Sequence, residues 1–209
     1  MAKLPNINHK HKVCIICEGI EEHIYVKRLL ELNVWSDAYE FKPINAKGES
    51  NIFPRFQDVY NKDYYEAIII FCDTDKKPYK EYNKLKDNIN DFFDKSDANG
   101  KIIVWANPCT MQIILSHFGE VTLKNQGKKT NADIIEQLTG VKNYDAHEEQ
   151  VKEICRNIFK RTYSAMKDRI KTENADDTEA GTTNAAVFFD YFENADTGWI
   201  SDINQYLAE

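Results

Sequence analysis

Hydrophobic positions in this chain switch between two patterns, and the first switch comes early. Val13 to Cys17 (Val-Cys-Ile-Ile-Cys) is an unbroken apolar run, as expected of a strand buried on both faces in a parallel sheet. Glu18-Gly19 interrupts it, and Ile20, Ile24, Leu29 and Leu30 then recur at helical spacing, predicting a helix over residues 20 to 33. Tyr39 to Ile44 alternates and reads as a second strand. Turn residues at 45–51 lead to a short helix over Ile52 to Val59, with Pro54 tolerated in its first turn. Ala67 to Cys72 (Ala-Ile-Ile-Ile-Phe-Cys) is another buried strand, running directly into Asp73-Thr74-Asp75.

The same alternation continues. Pro78 is placed to open a long helix reaching about Lys95, with Tyr82, Leu85, Ile89, Phe92 and Phe93 as its core face. Asn99-Gly100 reads as a turn, and Lys101 to Ala106 as a buried strand ending at Asn107-Pro108. Met111, Ile114, Leu115 and Phe118 mark one further helix. Beyond Gly119 the strand pattern stops. Gly127-Lys128-Lys129-Thr130 precedes a short helix to Leu138, and Asp145 to Lys171 reads as one long helix with Val151, Ile154, Cys155, Ile158, Phe159, Met166 and Ile170 as its stripe. Residues 174–183 form a polar loop, and Asn184 to Phe192 and Trp199 to Leu207 are closing helices. Residues 1–12 read as a polar lead-in.

Strands that alternate with helices predict an α/β fold, a mostly parallel sheet covered by helices on both sides and joined by right-handed crossovers. Residues 12–120 form the α/β core, and residues 121–209 a helical C-terminal region packed on it. The composition supports a full core, at 42% hydrophobic and 12% aromatic. A net charge of -7 argues against a general nucleic-acid coat, so a phosphate contact has to come from a local basic patch or through bound metal. No apolar run is long enough to span a membrane, and no leader peptide is evident, so a cytoplasmic protein is expected. The cysteine count is five, and most lie in or beside apolar strands, as reduced buried thiols would. Cys14 and Cys17 are spaced as some zinc ligands are, but residues three apart on a strand point to opposite faces.

Two buried strands that each end in acid change the picture. If they are parallel neighbours, Glu18, Asp73 and Asp75 meet at the C-terminal edge of the sheet, where open α/β folds bind ligands. Clustered carboxylates repel unless a cation lies among them, and hard oxygen donors suit Mg²⁺ or Mn²⁺. Glu22, one helical turn after Glu18, either backs up that site or complements the helix dipole from solvent. Lys76 and Lys77 either stabilise charge on a phosphate or form a solvated helix start. Asn107 either orients a ligand or ties down its loop, and His117, among apolar neighbours, reads as a hydrogen-bonded structural histidine.

The order Glu-Gly at one strand end and Asp-x-Asp at another resembles the Toprim fold of topoisomerases, primases and OLD-family nucleases. Ala106-Asn107-Pro108-Cys109 with Ser116-His117-Phe118 is similar to the Ser-Asn-Pro and Leu-His-Phe segments of RloB-like proteins, a Toprim-related family. Gly127-Lys128-Lys129-Thr130 and Gly181-Thr182-Thr183-Asn184 with Val187 resemble that family's lysine-bearing turn and late Pro-Ser-Thr-Asn segment. The resemblance implies a Toprim-like sheet with a helical C-terminal extension. It implies metal binding by Glu18, Asp73 and Asp75, a supporting carboxylate at Glu22, and a phosphate or positioning role for Lys128 or Lys129. The activity it implies is Mg²⁺-dependent (or Mn²⁺-dependent) hydrolysis of DNA or RNA in restriction or phage defence, beside a partner ATPase; a second copy of the chain is also compatible. The alternative is a catalytically degenerate module that binds nucleic acid or the ATPase. One departure favours it: the acid that the family carries shortly after its Ser-Asn-Pro falls here at Met111, followed by Gln112, so the family's full two-metal set is not matched.

Overall fold

A computed structural model of the chain describes residues 9–75, 77–170 and 175–209. Strands β1 (His11–Cys17), β2 (Tyr39–Asn45), β3 (Ala67–Asp73) and β4 (Ile103–Ala106) form one sheet in the order β2-β1-β3-β4. All three pairings are parallel. The two continuous apolar runs lie at its centre: Val13–Cys17 and Ile69–Cys72 are buried, because helices cover both faces of the sheet. Replacing any of these isoleucines with Ala would cost about 2–5 kcal/mol. The architecture is thus α/β, a parallel sheet flanked by helices, consistent with a Toprim-like fold.

Helix α1 (Ile20–Glu31) joins β1 to β2, and α2 (Ile52–Tyr60) joins β2 to β3. Helices α3 (Lys80–Phe93) and α4 (Ala98–Ile102) lie between β3 and β4. On one side Phe56 of α2 packs against Phe92 and Phe93 of α3. On the other, Tyr25 of α1 packs on Phe71 of β3 and on His117, just past α5 (Met111–Ser116). The remaining helices are α6 (Lys128–Thr139), α7 (Glu148–Arg156), α8 (Lys160–Ile170), α9 (Ala185–Glu193) and α10 (Gly198–Ala208).

The C-terminal region closes the β4 edge with side chains. Asn184 Oδ1 accepts the Trp105 N–H (2.8 Å) and its Nδ2 donates to the Ile103 carbonyl (2.8 Å), in place of a neighbouring strand. The Thr183 hydroxyl donates to the Trp105 carbonyl. On the far edge, the Tyr39 hydroxyl of β2 accepts from Trp199 Nε1 (2.8 Å) and lies 3.0 Å from the carbonyls of Asn194 and Asp196.

Several local expectations are corrected. The long helix predicted over 145–171 is broken: Arg28 takes the Ile158 carbonyl (Nη2 2.9 Å), and the Thr162 hydroxyl caps the Phe159 N–H (2.9 Å), so a second helix starts at Lys160. Phe159, placed in the core stripe, is exposed. Residue Lys171 and the start of the loop at 174 lie outside the described residues. Pro78 does not open α3; Tyr79 intervenes with a left-handed backbone (φ 58°), and the helix begins at Lys80. Asn99-Gly100 is helical, held by Asn90 Oδ1, which accepts from both the Asn99 N–H and Nδ2 (2.9 Å each). That shortens the strand predicted from Lys101 to Ile103–Ala106. At the other end of the chain β1 begins at His11, within the stretch read as lead-in, where Nδ1 pairs with Glu66 (2.8 Å).

Candidate metal centre

The parallel register fixes where the two acidic strand ends meet. Cys17 is paired with Phe71, and the Glu18 N–H donates to the Phe71 carbonyl (3.0 Å). Glu18 Oε2 in turn accepts the Asp73 N–H (3.0 Å). The Asp73 carboxylate is held from the next connection over: Oδ1 accepts the Thr110 N–H (2.7 Å) and hydroxyl (2.9 Å). Glu22 reaches back to the Gly19 N–H (2.7 Å), capping the helix that carries it. Glu21 accepts from the Tyr144 hydroxyl (2.5 Å), which comes from the loop before α7.

The acids line one pocket of about 240 Å³, formed by Glu18, Glu21, Glu22, Asp73 and Asp75 with Tyr144 beside them and Lys128 as its cation. Carboxylate oxygens of Glu21, Glu22 and Asp73 all lie within 4.8 Å of one another. The site is recessed: Glu22 is only 3% exposed. Burial raises the carboxyl pKa values, and the neighbouring acids raise them further. Burial and then Glu22 push Glu18 up to about 8. Burial and then Glu21 push Glu22 up to about 7. Asp73 is held well above its ordinary range by burial and by Glu22 and Glu18. Burial also raises Glu21, against the Tyr144 hydrogen bond and the Lys128 charge. Such a cluster holds protons or a cation, since charges this close and this buried are not tolerated uncompensated. The donor set, carboxylate oxygens converging on one point, is able to hold a hard metal ion.

All four predicted metal ligands, Glu18, Glu22, Asp73 and Asp75, face this pocket, but the tightest group differs from the predicted Glu18, Asp73 and Asp75. It includes Glu21, which sequence reasoning passed over. The spacing Glu18, Glu21, Glu22 did carry a signal, since positions three and four apart share a helix edge. Tyr144 gave none, being brought in by tertiary packing alone. Asp75 has a left-handed backbone (φ 59°), and its N–H donates to the Pro108 carbonyl (3.2 Å).

The lysines separate. Lys128 lines the pocket from the first turn of α6, whereas Lys129 is exposed and not among the lining residues. Lys77 lies on the adjoining groove, and Lys76 is outside the described residues. Met111 is buried and lines the pocket, while Gln112 is turned into the fold, bridging the Val121 carbonyl and the Leu123 N–H (2.8 Å each). His117 bonds the Tyr25 hydroxyl (2.9 Å) and the Thr162 hydroxyl (3.2 Å), and burial lowers its pKa to about 3, so it is a neutral structural group.

Asn107 ties down its loop. Its Nδ2 donates to the Asp177 carbonyl (2.7 Å), its N–H to the Thr182 carbonyl (2.9 Å), and its carbonyl accepts the Gly181 N–H (2.8 Å). Gly181 has φ +89°, and a Cβ there would lie 2.7 Å from Thr122 Cγ2, so glycine alone suits the turn. Cys14 and Cys17 are buried free thiols. Comparison of the chain with protein-family models, curated proteins and solved structures gave no match.

Proposed function

We propose that the protein is a divalent-metal-dependent phosphodiesterase, a nuclease of the RloB and Toprim type that acts on DNA or RNA with Mg²⁺ or Mn²⁺. The observation that carries this reading is the convergence of Glu18, Glu21, Glu22 and Asp73 on one recessed pocket at the C-terminal edge of a parallel sheet. Glu21, Glu22 and Asp73 would hold the metal, with Glu18 and Asp75 beside them. A cation bound there supplies Lewis-acid polarisation of a phosphoryl oxygen and lowers the pKa of a bound water. Thr110 orients the Asp73 carboxylate, Tyr144 orients Glu21, and Gly19 orients Glu22. Lys128 places a positive charge at the mouth, where charge develops on a phosphate; Lys129, exposed on the same helical turn, serves at most to attract the substrate.

The wider setting belongs to the same proposal: a cytoplasmic protein of restriction or phage defence, working beside an ATPase. Among the described residues no helix is long and apolar enough to cross a membrane. The second reading is a degenerate Toprim module that binds nucleic acid or the ATPase without cutting. Met111, apolar and buried in the pocket wall where the RloB-like pattern carries an acid, favours it.

Calorimetric titration with Mn²⁺ and an oligonucleotide cleavage assay separate the two. Nuclease chemistry requires Mn²⁺ binding that is lost in Asp73→Ala and Glu18→Gln, and cleavage that is lost with it. Absent Mn²⁺ binding, or binding indifferent to both substitutions, leaves only the second reading.

A further inference from the structure

A second groove opens from the carboxylate pocket. The two share Asp75 and Gln126 as wall residues, and the groove, about 470 Å³, continues past Lys77, Tyr79, Asn107 and Lys124. Its charge is opposite to that of the pocket. Lys77 and Lys124 line the groove and Lys128 the pocket beside it, and among the described residues none of the three is in a salt bridge. The acid that Lys77 acts on, Asp176, is already occupied by the Thr178 N–H and hydroxyl (2.8 Å each). In a chain of net charge -7, three lysines with no salt bridge among the described residues thus line one continuous path beside its acids.

The groove also holds a fixed aromatic ring. The Tyr79 hydroxyl donates to the Thr178 carbonyl (3.0 Å) and accepts from Asn107 Nδ2 (3.2 Å), and the ring is only partly buried. A basic groove with a held aromatic is how single strands are bound: lysines follow the backbone, and a ring face takes a base whatever its identity. The recession of the acids points the same way. Glu22, on the pocket wall, is 3% exposed, and a flexible strand follows a recess of this kind more closely than a stiff duplex does.

We infer that this groove is the track of a single-stranded nucleic acid, with one phosphate over the carboxylate cluster, the neighbouring phosphate between Lys77 and Lys124, and a base on the Tyr79 ring. The inference rests on the function proposed above and adds to it the form of the substrate and its direction of entry.

Fluorescence anisotropy with the full chain tests it, using labelled DNA and RNA single strands of about 12 nucleotides, within the range of ~4–16 that such sites cover, and the corresponding duplexes. Ca²⁺ replaces Mg²⁺. Single strands should bind at least about tenfold more tightly than duplexes. The double variant Lys77→Gln, Lys124→Gln should bind more weakly and lower the slope of log affinity against log salt by about 0.7, the share of the one phosphate the two lysines hold. Tyr79→Leu should weaken binding about tenfold; if that variant does not fold, the surface lysine pair carries the test. An unchanged salt slope in the lysine variant, a preference for duplex, or no binding overturns the inference. Mn²⁺ titration of the same samples keeps the two proposals apart. Metal binding with an unchanged salt slope overturns the track alone, and lysine-dependent strand binding without metal binding overturns the metal centre alone.

Discussion

The Glu18 carboxylate accepts the backbone N–H of Asp73 at 3.0 Å, so the acid that ends β1 is tied to the acid that ends β3. The bond uses one oxygen of Glu18 and leaves Asp73's own carboxylate to Thr110. The two acids are therefore placed without a cation, which makes the effect of each on metal binding separable from its effect on folding.

Asp73→Asn should keep the fold, because an amide oxygen still accepts from the Thr110 N–H. Mn²⁺ affinity should fall by about 100-fold or more, beyond the ~10–100-fold usual for groups that only orient a ligand. Calorimetry gives the affinity and circular dichroism the fold. Affinity within about threefold of the parent would remove Asp73 from the metal set.

Tyr144→Phe deletes one oxygen and retains the ring, which is 2% exposed. Glu21 loses the donor that orients it, so Mn²⁺ should bind about tenfold more weakly. An unaltered isotherm would show that Glu21 stands aside from the ion.

Metal-free stability should decline with rising pH. Glu18 and Glu22 have native values of about 8 and about 7 against an ordinary 4.5, both raised first by burial. Between these limits the native state binds more protons than the unfolded chain, so unfolding free energy falls as pH climbs from about 4.5 to about 8 and then levels off. Mn²⁺ should reverse the loss, raising the melting temperature more at pH 8 than at pH 5.5. Melting temperatures in EDTA and in Mn²⁺ across this range provide the check; a flat EDTA profile would contradict the burial of these carboxyls.

Asn184→Ala should destabilise the protein by about 2–6 kcal/mol, since the Trp105 N–H and the Ile103 carbonyl are both left without partners at ~1–3 kcal/mol each. Urea denaturation measures it. A loss below about 0.5 kcal/mol would mean that β4 does not depend on this side chain.

Much of this was legible in the chain because burial on two faces leaves an unmistakable pattern. Val13–Cys17 and Ala67–Cys72 have few polar positions to mislead, and their ends locate Glu18 and Asp73. What escaped was decided by contacts distant in sequence. The break at Asn157–Phe159 depends on Arg28, the helical turn at Asn99 on Asn90, and the place of Glu21 on Tyr144. Each is a tertiary hydrogen bond to a position that local spacing does not reach. Pro78 misled for a different reason: its first-turn preference is real, but the left-handed Tyr79 behind it resets the helix start.

Asn107, in the groove adjoining the pocket, is gripped by residues 177, 181 and 182, and the strand before it is bracketed by Asn184. A ribosome reaches those residues only after every carboxylate of the cluster has been made. Until then the contacts that close the β4 edge and hold the Asn107 loop cannot form. The frame beside the centre thus depends on residues 177 to 184, and a chain cut short before residue 177 carries the acids without the contacts that hold Asn107 and β4.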